Sequence, residues 1–173
     1  MIHAIVYSDL PPAEKTFDRV LEEVMTVAGA GFETTASALR LILYHVYTNN
    51  QILRRLREEL ASVSTGPAQP IALKEVEQLP YLTAVLTEGI RLSPAIASRA
   101  ARITNKDLFY DKWRIPAGTP VGMTTLLMHT DEALYPEPML FNPERWLGPA
   151  GERAHASKFG PFGRGTRICL GMQ

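Results

Sequence analysis

The chain has 173 residues, 46% of them hydrophobic, enough apolar side chain to bury a core and too much for a disordered segment. Lys+Arg 18 balances Asp+Glu 18, which leaves no net field to draw nucleic acid. The single cysteine, Cys169, excludes an internal disulfide framework and fits a reducing compartment.

No apolar run approaches the roughly 20 residues that a membrane span needs. The opening "IHAIVYSDLPP" lacks the basic region, apolar region and cleavage site of a secretory signal. As written, the chain reads as soluble, cytoplasmic or peripheral. Pro11 and Pro12 mark a helix start, because proline costs nothing in a first turn whose N–H groups are unbonded anyway. Phe17, Val20, Leu21, Val24, Val27 and Ala28, then Leu39, Ile42, Leu43 and Val46, keep helical spacing. The pattern predicts one helix from about Pro12 to Tyr47, roughly 50 Å long. Its interior carries "AGAGFETT". Gly29 and Gly31 each cost about 1 kcal/mol against alanine there, so a bulge or a close approach is expected.

"NNQILRRLREELASV" predicts a second helix, ended by "STGPAQP". Arg54–Glu58 and Arg55–Glu59 are i,i+4 pairs on its wet face. The run Arg54, Arg55 and Arg57 is a solvated face or a docking surface. A third helix runs from about Pro80 to Leu92 and stops before Pro94. Residues 95–121 read as short strands and turns, with "DKWRIPAGTPVGM" hairpin-like. "TTLLMHTDE" reads as a short helix, and 135–157, with Pro136, Pro138, Pro143 and Pro149, as mostly irregular. The fold class is therefore mainly α with small β elements.

Four motifs carry chemistry. The chain closes on "FGRGTRICLG", which as F-x-x-G-x-R-x-C-x-G places Phe162, Gly165, Arg167, Cys169 and Gly171 in register. Glycines let backbone N–H groups turn toward a sulfur and hold it as a metal-bound thiolate. Arg167 suits an anionic group of a cofactor. "AGFETT" sets Glu33 and Thr34 in the middle of the long helix. "EGIR" puts Glu88 and Arg91 at i,i+3 on one face of the third helix, and "NPERW" adds Arg145. His3, His45 and His155 have no spacing that would build a zinc site with Cys169.

Together these motifs resemble those of the cytochrome P-450 family, the haem-thiolate monooxygenases. The resemblance implies that Cys169 is the proximal thiolate of haem b iron. It implies that Glu33 and Thr34 guide protons to bound dioxygen, and that Glu88, Arg91 and Arg145 form a buried structural triad locking the cysteine loop. "ASRAARI" resembles the segment lining the distal pocket. There Arg102 is the candidate for a haem propionate, with Arg99 the alternative, and the side chains of Pro94 to Ser98 would face substrate. His129 matches a position where relatives often carry histidine, read here as packed or hydrogen-bonded.

The resemblance covers nearly all of residues 1–173 as a partial domain, the C-terminal part of the fold. It implies an N-terminal endoplasmic-reticulum membrane anchor, early helices and a helix after the cysteine in longer relatives. The wording is most similar to filamentous-fungal members, many of them in secondary metabolism. The implied activity is insertion of one oxygen atom from O2 into a lipophilic small molecule, with an NADPH-dependent flavoprotein reductase as electron donor. A truncated, catalytically inactive remnant and a haem-free interaction fragment are the other two readings open at this point.

Overall fold

Thr16 interrupts what the apolar spacing draws as one helix. Its backbone is extended, at φ −64° and ψ 155°, and its hydroxyl accepts the N–H of Arg19 at 3.4 Å as an N-cap. A 3-10 turn, Pro12–Lys15, therefore precedes helix α2, Phe17–Thr48, and a short helix α1, Ile2–Val6, precedes both. The structure, a computed structural model, describes residues 2–63, 66, 71–93, 97–148 and 158–172. Of the expected features, Pro94 to Ile96, His155 and residues 149–157 lie outside the described residues.

The described chain is mainly helical. After α2 come α3 (Asn50–Val63), α4 (Leu73–Val76), α5 (Pro80–Leu92) and α6 (Thr125–His129). A 3-10 turn spans Pro143–Trp146, and two more, Gly165–Arg167 and Leu170–Met172, flank Cys169. The one sheet among the described residues pairs β1 (Leu108–Tyr110) with β2 (Trp113–Ile115), antiparallel, with Tyr110 opposite Trp113. Asp111 makes the tight turn at φ 51°, a left-handed conformation that Asp tolerates. The helices α1 and α4 were not anticipated, because four or five residues are too few to establish a period.

The core forms where the C-terminal part of α2 meets α3 and α5. Ile42 and Val46 from α2, Ile52 and Leu56 from α3, and Tyr81 and Val85 from α5 enclose it, with Phe141 from the later irregular segment. Burying each such side chain is worth about 1.5–3 kcal/mol. The rest of α2 behaves differently. No side chain before Ile42 is buried, and Phe17, Met25 and Phe32 stand in the open.

Two charge assignments differ from the sequence expectation. Glu59 does not pair along its own helix with Arg55. Its carboxylate accepts the N–H groups of Tyr81 at 2.7 Å and Leu82 at 2.8 Å. Helix α5 opens on Leu79 and Pro80 and has no capping side chain of its own, so Glu59 bonds two of its orphan donors and meets the positive end of its dipole. Arg55 instead pairs with Glu144 and lies 4.1 Å from the centroid of the Tyr81 ring. The Arg54–Glu58 pair does form, at 3.7 Å, with both side chains largely exposed.

Helices α2 and α5 cross at Gly89. A Cβ there would fall 2.0 Å from Ile42 Cγ1 and 2.7 Å from Cδ1, so the side chain or the helix must move. Gly89→Ala is expected to destabilise the fold by about 1–3 kcal/mol through overpacking. Denaturant unfolding checks this. Ile42→Ala should cost less in the Gly89→Ala background than alone, because the two changes share one space.

Candidate active site

The site is built around one carboxylate. Glu88 and Arg91 are one turn apart on α5 and point the same way. Both are buried, Glu88 at 0% and Arg91 at 1% exposure. Arg91 donates Nε to Glu88 Oε2 and Nη2 to Oε1, both at 2.8 Å, a bidentate pair. Asn142 begins the 3-10 turn Pro143–Trp146. Its side chain accepts the Glu144 N–H at 3.1 Å, and its own backbone N–H donates to Glu88 Oε1 at 3.0 Å. The turn that follows brings the side chains of Arg145 and Trp146 to Glu88. Arg145 Nε reaches Glu88 Oε1 at 3.0 Å and Trp146 Nε1 reaches Oε2 at 2.8 Å. The structure thus brings Glu88, Arg91 and Arg145 together.

The guanidinium groups spend their remaining donors on backbone carbonyls. Arg91 Nη1 donates to His129 O at 2.6 Å. Arg145 Nη1 donates to Pro136 O at 3.2 Å and Nη2 to Glu137 O at 3.4 Å. Burial by itself pushes the Glu88 carboxyl up. The bonds and charge of Arg91, with those of Asn142 and Trp146, outweigh it and hold the group below its ordinary value.

From α6 the network reaches the cysteine loop. His129 is 2% exposed, and its Nε2 accepts the N–H of Gly160 at 3.2 Å. Its ring stacks on Phe159 at 5.5 Å, and Phe159 lies edge-on to Trp146 at 5.0 Å. Burial holds the His129 imidazole below its ordinary pKa. The loop then folds on itself. Gly163 N–H donates to Gly160 O at 3.1 Å, and Cys169 N–H donates to Phe162 O at 2.9 Å. Gly163 and Gly165 sit at φ 76° and 78°, where a Cβ would be strained. A Cβ on Gly171 would lie 3.8 Å from Cys169 Sγ, so that residue borders the sulfur.

The expected N–H groups aimed at the sulfur are not found. Among the described residues none is bonded to Cys169 Sγ, because the loop's N–H groups at Gly163, Ile168 and Cys169 go to carbonyls. Cys169 is free and exposed. Arg167 is exposed beside it, as are Phe162 at 38% and Leu170 at 91%.

The other expected residues lie elsewhere. Glu33 and Thr34 are on α2, which runs without a bulge through Gly29 and Gly31. The Thr34 hydroxyl donates to Ala30 O at 2.7 Å, and Glu33 pairs with Arg40 at 3.5 Å on an open surface. Nothing described lies within 4 Å of a Cβ at either glycine. Arg102 pairs its backbone with Val121 in an isolated bridge, and its side chain is exposed, as is that of Arg99. Among the described residues no hydrogen bond or ion pair joins Glu33, Thr34 or Arg102 to the cysteine loop.

Sequence reasoning missed Glu59, Asn142 and Trp146. Asn-Pro is a legible start signal for a helical turn. Nothing local marks Trp146 as a donor to Glu88, or Glu59 as a cap for α5.

The family model for Cytochrome P450 matches residues 8–173. "Cytochrome P450 monooxygenase oblB" of Emericella variicolor is 44% identical over 97% of this chain and 31% of its own length. "Tryptophan 6-hydroxylase fscE" of Fusarium equiseti is 39% identical over 99% of this chain and 34% of its own length. A zebra fish cytochrome P450, solved with abiraterone, superposes with a TM-score of 0.82 and 30% identity, covering 99% of this chain and 41% of that one. The chain belongs to the cytochrome P450 family. It spans about a third of the length of the curated relatives it matches.

Family membership implies a haem cofactor. The residues present fit one. Cys169 offers an exposed thiol with no hydrogen-bond partner at its sulfur among the described residues, and its loop also carries the exposed apolar side chains of Phe162 and Leu170 and the exposed Arg167 cation. No helix among the described residues is long and apolar enough to cross a membrane.

Glu88→Gln keeps the shape but leaves two arginines facing a neutral amide, and is expected to cost about 3–5 kcal/mol by denaturant unfolding. The pH dependence has a definite sign. The folded Glu88 carboxyl titrates below its unfolded value, so its contribution is complete above about pH 4.5 and is lost as pH falls through the folded value. Unfolding midpoints below about pH 4.5 should therefore fall less steeply in Glu88→Gln than in the parent.

Proposed function

We propose that this chain forms the thiolate-ligand and oxygen-activating part of a haem-thiolate monooxygenase. Its reaction inserts one oxygen atom of O2 into a lipophilic small molecule and releases the other as water. Two electrons come from an NADPH-dependent flavoprotein reductase, and two protons complete the water. The observation that carries this reading is the loop of Cys169, whose exposed thiol sits on a backbone tied through Gly160 to the buried Glu88–Arg91 pair.

In this reading haem supplies the binding and reductive activation of dioxygen. Cys169 holds the iron as thiolate. Arg167 and Arg102, with Arg99 the alternative to Arg102, pair with the two haem carboxylates. Phe162 gives apolar contact, and Gly165 and Gly171 keep the loop clear of side chains. Thr34 holds a proton on its hydroxyl, which donates to the Ala30 carbonyl one helical turn earlier, and Glu33 beside it lies exposed, within reach of water. Relatives named for 6-hydroxylation of tryptophan, and of N-acetyltryptophan in Emericella nidulans, support hydroxylation of a small molecule in fungal secondary metabolism as the reaction class.

The test is the absorbance of the reduced, carbon-monoxide-bound protein loaded with haem. The parent should give the strongly red-shifted Soret band of a thiolate ligand, and Cys169→Ser should lose it. A parent band typical of a neutral ligand, or an unchanged band in Cys169→Ser, overturns the assignment.

A further inference from the structure

We propose that His129 is a positioning residue, which in its neutral form, with the proton on Nδ1, fastens the start of the cysteine loop to the buried Glu88–Arg91 pair. The link to iron ligation rests on the reading above; the fastening itself does not.

The geometry grips one residue from both ends. The backbone carbonyl of His129 is held by Arg91 Nη1 at 2.6 Å. Its side chain, through Nε2, holds the Gly160 N–H at 3.2 Å. Gly160 is buried, so its N–H has no water to turn to if that acceptor is lost. Stacking on Phe159 at an interplanar angle of 18° fixes the ring so that Nε2 faces the loop. From Gly160 the chain of bonds is short. Gly160 O takes the Gly163 N–H and closes the turn, and Phe162 O within that turn takes the N–H of Cys169 itself.

An accepting Nε2 carries no proton, so the neutral ring must carry its proton on Nδ1. A protonated imidazolium would aim N–H at N–H and break the bond to Gly160. The charged surroundings oppose that protonation. Arg91 on α5 bonds the same residue. Arg164 on the loop has its Nε 3.7 Å from where a Gly160 Cβ would stand. Glu88, the nearby carboxylate, already accepts from Arg91, Asn142, Arg145 and Trp146. Tyr135 meets the ring edge-on at 6.1 Å and is neutral over this range. Burial, and after it the Arg91 charge, lower the imidazole pKa, although a hydrogen bond between the ring and the Arg91 backbone works the other way. The folded form thus favours the neutral ring, and the fastening is complete above about pH 6.5 and weakens as pH falls below it.

Two substitutions separate fastening from space-filling. His129→Phe keeps a ring to stack on Phe159 and removes the acceptor. His129→Gln keeps an acceptor oxygen at about the reach of Nε2 and removes the ring. Hydrogen–deuterium exchange of the peptide spanning residues 158–163, followed by mass spectrometry on the protein as purified, reads the bond directly and does not need haem. Exchange should quicken about tenfold in His129→Phe, the size of one lost buried hydrogen bond, and stay within about twofold of the parent in His129→Gln. Corrected for intrinsic rates, lowering pH from about 7.5 to about 5.5 should quicken the parent and leave His129→Gln unchanged. Equal exchange in the Phe and Gln variants would reduce His129 to a packing residue. The 15N shifts of the His129 imidazole in the unmutated protein decide independently of folding: a proton found on Nε2 at neutral pH overturns the proposal. In the haem-loaded protein, loss of the thiolate band in His129→Phe with its retention in His129→Gln ties the fastening to the ligand. If Cys169→Ser fails to change the spectrum while the exchange results hold, the ligand reading falls and the fastening stands.

Discussion

The buried carboxylate of Glu88 anchors the bonds that lead through Arg91 and His129 to the cysteine loop. Glu88 has no exposed surface, and taking an isolated carboxylate out of water would cost many kcal/mol. The cost is offset because the groups around it are all donors: two guanidiniums, an indole and a backbone amide. None of them can leave without stranding charge. The interaction therefore does more to specify an arrangement than to add stability, since a buried ion pair is weak evidence for net gain and strong evidence that breaking it is costly. It fixes α5 against the turn Pro143–Trp146, two elements more than fifty positions apart in sequence.

A network of that kind works only if α5 is itself immobile, and three contacts see to it. Glu59 from α3 bonds the first N–H groups of α5, so the helix cannot slide along its axis. Gly89, without a side chain, lets Ile42 of α2 press against the helix midway, which blocks rotation. Arg55 lies over Tyr81 and pairs with Glu144, joining α3 to the same turn that supplies Arg145 and Trp146. Charges and core thus act on the same helix from different sides. Phe141 does both jobs: it packs in the core, and it stacks on His45 at 4.4 Å beside the Asn142 amide that caps Glu88.

The sequence announces what is local and conceals what is distant. The span of α5, Pro80–Leu92, follows from a proline at its start and a proline beyond its end. The spacing of Glu88 and Arg91 shows that they share a face, and the cysteine motif groups five residues that the structure does keep in one loop. Composition could not show that Glu59 serves another helix, because an i,i+4 arginine offers the same charge nearby. In an exposed pair that offer is worth only about 0.3–0.5 kcal/mol, less than two bonds to orphan amides at a helix end. The glycines of α2 mislead in the opposite sense. Their cost in a helix suggested a bulge, but each cost is about 1 kcal/mol, and a helix of 32 residues absorbs it without losing its ladder.

The contrast between the two ends of the site has a physical logic. The loop behind Cys169 is fastened through carbonyls, left-handed glycines and a buried histidine to the buried Glu88–Arg91 pair. The stretch of α2 with Gly29, Gly31, Glu33 and Thr34 is held differently. Here the Thr34 hydroxyl bonds Ala30 O within its own helix, while the Glu33 carboxylate holds a long, exposed pair with Arg40. The difference between the fixed bonds behind the loop and the looser ones on α2 is set by burial. Glu88 is sealed from water and cannot change partners, whereas Glu33 is open to it and can.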